Sequence, residues 1–243
     1  VSVFEVIDFV LHDLVPDAHP DDKAVRDRLL SAGIGSGNFK VAALDGAVKE
    51  AMEQGIADAW ADFEQLQQTA IVPGKVTSGD MFGTRDYLSR PGAPCSIYLA
   101  RFAGAKIGLY GNSTQEAIYP FYKELDGELL DCSKHSYCLR LSPVDMSMAT
   151  AFWSLTMYDG KSQLLVHNPL NRYLLNSVMA DSMKKEEDGS IVIHVSAAPP
   201  SEDVKCNWLP APGGPFFVVL RVYLPKPEAA SGEWKAPKVQ IVA

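Results

Sequence analysis

Residues 216–224, FFVVLRVYL, constrain the fold more than any other stretch of the chain. Phe216, Val218, Leu220, Val222 and Leu224 share one face of an extended backbone; Phe217, Val219, Arg221 and Tyr223 share the other. Strand side chains alternate with period 2, so the pattern predicts a β-strand with a wholly apolar face and an opposite face carrying a cation and rings. Residues 190–195 alternate too, with Ile191, Ile193 and Val195 opposing Val192 and His194. Further strand candidates are 96–102, 136–142, 150–158, 163–167 and 238–242, set between clusters of Gly, Pro, Asn and Asp. Many short antiparallel strands without intervening helices point to a β-sandwich or jelly roll.

The first third has a different period. Phe4, Ile7, Val10, Leu11 and Leu14 recur at helical spacing up to Pro16. Asp21 or Asp22 is placed to cap a second helix carrying Val25, Leu29 and Leu30, with Gly33 as its stop. The segment GIGSGN at 33–38 is expected to be a flexible connector. A longer helix follows, with Leu44, Val48, Met52, Ile56, Ala59 and Phe63 on one face, ending before the turn signal Pro73-Gly74. The expected architecture is therefore α+β, mainly β: a helical segment over 1–75 packed on an antiparallel jelly-roll-like β-sandwich over 76–243. The stretch 225–237, rich in Pro, Ala and Gly, is expected as a loop.

The formal net charge of −8, with acids and bases interspersed, disfavours a nucleic-acid or anionic-membrane partner. No apolar run reaches the roughly 18 residues of a transmembrane helix. The sequence starts at Val1 and its apolar start lacks a basic n-region, so a trimmed or mature chain is expected, of unassigned compartment. Cys95, Cys132, Cys138 and Cys206 form no C-x-x-C pair; buried free thiols are the simplest reading, and three disulfide pairings are formally open.

Chemistry concentrates in FWSLTMYDGKSQLLVHNPLNRY (152–173) and NWLPAP (207–212). Asp159-Gly160 after Tyr158 reads as a turn or as a ligand-contacting carboxylate. Asn168-Pro169 sets a turn before Arg172, whose five N–H donors either tie the loop to carbonyls or form a fork for a carboxylate, phosphate or sugar hydroxyl. Trp208, stiffened by Pro210 and Pro212, either plugs the end of the sandwich or stacks on a planar or sugar-like ligand. Arg221 and Tyr223 share a strand face, and become pocket groups if that face is concave. His12, His19, His135, His167 and His194 show no metal-site spacing, so neither a metal nor a cofactor is expected. There is no G-x-S-x-G elbow, Ser154 lies inside a strand run, and the glycines of GIGSG follow a helix.

The run FWSLTMYD, then NPLNRY, the Asp188-Gly189-Ser190 turn, NWLPAP, LRVYLP after Phe216, and Trp234 to Pro237 resembles the domain of unknown function 1214. GIGSGNF at 33–39, DYLSR at 86–90, EAIY at 116–119 and Asp126-Gly127 also resemble that family. The resemblance implies a helical segment joined to a jelly-roll-like sandwich, often behind a 1254-type domain that this sequence lacks. It implies no settled activity. Pro91 after Arg90, and Cys132, His135 and Cys138 in the region 130–138, depart from the family's usual pattern.

With no nucleophile elbow or metal cluster, the expected function is a non-enzymatic binding or assembly module, as a homo-oligomer or a subunit of a larger complex. It would present Arg172, Asn168, Trp208, Asp159, Tyr158, Arg221 and Tyr223 to a partner chain or a small polar ligand. The alternative is a metal-independent hydrolase or lyase for a small organic or carbohydrate-like substrate, with Tyr158 or Tyr173, Asp159 and Arg172 as its acid–base and anion-stabilising set.

Overall fold

The computed structural model describes residues 1–17, 19–71, 75–76, 78–108 and 111–242. The chain divides into two compact units, Val1–Pro73 and Gly74–Ala243. In the first unit, α1 (Val3–Phe9) widens into a π-helical turn over Val10–Leu14. It is followed by α2 (Lys23–Ser31) and α3 (Gly46–Leu66). Asp22 stands at the start of α2 but its side chain makes no capping bond. Asp45 does cap α3, accepting the Ala47 N–H at 2.9 Å, so Leu44 falls outside the helix expected to contain it. Pro73-Gly74 lies outside the described residues.

The connector after α2 is held in place rather than flexible. Gly33, Gly35 and Gly37 take φ of 83°, 95° and 77°, a left-handed region open to glycine at little cost. This turns alternate N–H groups to one side, where the buried Asp8 carboxylate accepts from Gly35 (2.6 Å), Gly37 (3.0 Å) and Phe39 (3.0 Å). Glu5 Oε1 accepts the Val41 N–H at 2.9 Å. Ile34, Phe39, Phe63 and Leu66 are the buried apolar side chains of this unit among the described residues.

The second unit begins with three helices, α4 (Ser78–Phe82), α5 (Arg85–Leu88) and α6 (Ile97–Gly108). The strand expected at 96–102 is thus part of a helix. Its β-branched and aromatic start imitates a strand, but buried Ala100, Ala103 and Gly104 at i, i+3 and i+4 mark a helical face. Next come β1 (Ala117–Ile118), β2 (Phe121–Tyr122), β3 (Glu124–Leu125), β4 (Glu128–Leu129) and β5 (Ser136–Leu141). After α7 (Pro143–Ser147) follow β6 (Ala149–Asp159), β7 (Leu174–Asn176), β8 (Ile191–Ser196), β9 (Trp208–Pro210) and β10 (Phe216–Pro225). The unit closes with α8 (Pro227–Ala230), a short helix inside the expected loop, and β11 (Val239–Val242). At 40% helix and 24% strand the fold mixes helices with sheets and is not mainly β.

A five-stranded sheet runs β1-β10-β6-β7, with β2 also paired to β10; a four-stranded sheet runs β11-β5-β8-β9, and β3 pairs β4. All pairings are antiparallel except β8 with β9. Phe216, Val218, Leu220 and Val222 of β10 and Trp153, Leu155 and Met157 of β6 are buried in the same apolar cluster as Leu139 and Leu141 of β5 and Ile191, Ile193 and Val195 of β8. The apolar face predicted at 216–224 is therefore inside, with one exception. The β10–β6 register slips between Tyr223 and Pro225, and Leu224 turns out at φ 47° with half of its surface exposed. The strand expected at 163–167 reduces to one bridge, Leu165 to Tyr158, because Gln163 turns the chain at φ 61°.

Candidate functional site

Two sets of side chains emerge where one was expected. The first joins Arg172, Asn168 and Trp208. Asn168 is buried and fully used. Its Nδ2 donates to Val166 O (3.0 Å) and Arg172 O (2.9 Å), and its Oδ1 accepts from the N–H groups of Leu170 (3.2 Å) and Arg172 (3.1 Å). That loop aims the guanidinium at the end of the 3₁₀ turn Glu202–Asn207. There Nη1 faces the carbonyls of Lys205 (3.0 Å), Cys206 (3.4 Å) and Trp208 (2.9 Å). Trp208 is buried, with Nε1 donating to Ser196 O at 3.0 Å. The neighbouring Asn207 is buried as well and ties Lys184 to Val192, accepting from Lys184 N–H and donating to the carbonyls of both.

Asp159 ends β6, and its Oδ1 accepts from Ser162 N–H (2.7 Å), Ser162 Oγ (2.9 Å) and Lys161 N–H (3.0 Å). The Ser162 backbone and hydroxyl, then the Lys161 N–H, hold its carboxyl below the usual carboxylate range. Tyr173 OH donates to Asn171 Oδ1 at 3.2 Å.

The second set lies on the outer face of the five-stranded sheet, opposite the core. Strand register places Phe217 beside Tyr158, Val219 beside Thr156, Arg221 beside Ser154 and Tyr223 beside Phe152. Arg221, half-buried, donates from Nη1 to Thr156 Oγ1 (3.0 Å) and from Nη2 to Tyr158 OH (2.9 Å). Its Cζ lies 5.8 Å from the Tyr158 ring centre. Among the described residues no carboxylate pairs with it. Rings flank it at both ends. Phe152 and Tyr223 stack at 4.3 Å and 19°, and Tyr158 and Phe217 stack at 5.0 Å and 10°, with Phe121 of β2 tilted onto Phe217 at 5.1 Å. Ser154 and Thr156 form a small-residue floor beneath.

Tyr119 completes this face from just beyond β1. Burial raises its phenol, while the Asn112 N–H donated to its oxygen at 3.0 Å and the nearby Arg221 charge act in the opposite direction. Its ring packs edge-on against Phe82 at 6.4 Å. Phe82 and Asn112 in turn line an open depression of about 380 Å³ with Gly83, Thr84, Gly111, Ser113, Gln115 and Glu116. Sequence reasoning named Tyr158, Arg221 and Tyr223 but missed Tyr119, Thr156, Phe152, Phe121 and Phe217. Counting by two from Tyr158 finds Thr156 and Phe152; nothing local announces Tyr119, which arrives from the link between β1 and β2.

The four cysteines are free and half-buried, and burial pushes the Cys132 thiol up to about 12. Among the described residues no group of three His, Cys, Asp or Glu side chains is placed to hold a metal, and no helix is long and apolar enough to cross a membrane.

Residues 116–227 match the family described as a protein of unknown function, DUF1214. No curated protein matches the chain. Among solved structures, the VPA0106 protein from Vibrio parahaemolyticus is similar, with 27% identity and a TM-score of 0.65 over 99% of this chain and 55% of that one. The chain therefore spans about half the length of that relative. An uncharacterised protein from Burkholderia cenocepacia aligns with 79% of this chain and 52% of its own, at 14% identity and a TM-score of 0.32.

Proposed function

We propose that this chain, matched over residues 116–227 by the DUF1214 family, is a non-enzymatic binding module whose recognition surface is the outer face of the five-stranded sheet. The observation that carries this is Arg221: a half-buried guanidinium, centred on a face of stacked rings, with hydroxyl partners and no counter-charge among the described residues. A cation held this way gains from an incoming acceptor what its own fold does not supply. The cluster that both sheets share supports a jelly-roll-like β-sandwich as the scaffold. Arg172, Asn168 and Trp208 serve that scaffold, since their polar atoms are engaged by backbone groups. The hydrolase or lyase alternative would draw on Asp159 and Arg172, which spend their bonds on a turn and on backbone carbonyls.

Native mass spectrometry of the purified protein beside Arg221→Ala tests this. A bound species should appear on the wild type and vanish from the variant, with the same thermal unfolding for both. A species that survives Arg221→Ala but is lost in Arg172→Ala, in a folded protein, transfers the site to the first set of residues.

A further inference from the structure

We propose that the ligand of this face is a small organic monocarboxylate with a flat apolar body, held through Arg221; the inference rests on the binding role above. Hydrogen-bond bookkeeping leads to an acceptor. Arg221 spends two of a guanidinium's five N–H groups, one on Thr156 Oγ1 and one on Tyr158 OH. Both hydroxyls accept those bonds and keep their own hydrogens. Tyr119 OH accepts from Asn112 and likewise keeps its hydrogen. The face thus holds a surplus of donors, and a ligand must bring acceptor oxygens to use them.

Charge narrows the class. The fork carries one positive charge without a carboxylate partner among the described residues, in a chain of net charge −8, so a monoanion matches it and a multiply charged phosphate is repelled at longer range. A carboxylate also meets a guanidinium side by side through two parallel bonds. The rings define the rest of the ligand. The Tyr158–Phe217–Phe121 group lies at the fork; the Phe152–Tyr223 stack lies about 20 Å along the strands from Tyr158 and Phe217, but only two residues, about 7 Å, from the Arg221 backbone at the usual rise. Val219, Arg221, Thr156 and Ser154 lie between the two ring pairs in the register, and Arg221 itself reaches across Thr156 to Tyr158, so an apolar body packs on ring surface beside the guanidinium.

Isothermal titration with benzoate, benzamide and inorganic phosphate tests the class, on wild type and Arg221→Met. Benzoate should bind the wild type, and benzamide and phosphate should bind about tenfold more weakly or worse. Arg221→Met should lose about tenfold of the benzoate affinity. Should that variant fail to fold, the side-chain N–H resonances of Arg221 in labelled wild type should move with benzoate and stay still with benzamide. Equal binding of benzoate and benzamide, tighter binding of phosphate, or benzoate affinity unaffected in a folded Arg221→Met overturns the proposal. If benzoate fails while an Arg221-dependent species persists in native mass spectrometry, only the ligand class falls; if neither appears, the recognition face falls with it.

Discussion

Arg172 and Arg221 show how one side-chain type serves two ends. Arg172 is enclosed by carbonyls, and cutting it back leaves those acceptors and the 3₁₀ turn unsupported. Arg172→Ala should cost about 1.5–3 kcal/mol in urea unfolding, the range for hydrogen bonds to a charged group. Tyr122 is the opposite case. Its hydroxyl is buried without a hydrogen-bond partner among the described residues, and burial raises its phenol well above the ordinary value, with Asp145 adding to the effect. Tyr122→Phe should be neutral or stabilise by about 1 kcal/mol on the same measurement. Asp8 makes a pH-dependent contribution. Burial raises its pKa, but the N–H groups of Phe39, Gly35, Gly37 and Ser36 outweigh that and lower it. A carboxylate depressed in the folded state stabilises fully above its unfolded pKa of about 3.9 and loses that contribution as pH falls through the folded value. The gap in urea midpoint between wild type and Asp8→Asn should therefore be constant near neutrality and shrink below about pH 4.

At the scale of elements, β10 was readable because its two faces differ in polarity over ten residues. Strands of two or three residues, such as β1, β2, β7 and β9, are too short to show a period; they exist because a longer strand offers them a partner. The helix α6 was misread because its first residues are good strand formers and its small buried residues come later. The candidate site was half legible for a related reason. Alternation along β6 and β10 places Tyr158, Arg221 and Tyr223 on one side, whereas Tyr119 and Phe121 join only through pairing at the sheet edge. The strand end at Leu224 carries its own test. A leucine at positive φ is strained by contact of its Cβ with the backbone, and asparagine tolerates that region better. Leu224→Asn should raise the thermal midpoint slightly, by about 0.5 kcal/mol of stability, because the leucine side chain is half exposed.

For the whole molecule, the core cluster draws all its members from the second unit, mostly from its strands. A fragment spanning 75–243 should thus unfold in one cooperative transition by circular dichroism. The order in which strands leave the ribosome has a further consequence. β10, the partner of β1, β2 and β6, lies near the C-terminal end of the chain. Ala117 and Phe121 are synthesised long before Tyr223 and Val219, their register partners, exist. Until then one edge of β6 has no β10 beside it to pair with, so the nascent chain carries an unpaired strand edge from the synthesis of β6 to that of β10. Such non-local pairing folds in milliseconds to seconds rather than microseconds. The growing chain is a natural client for holding factors at the exit tunnel, and fast overproduction is where it should aggregate first.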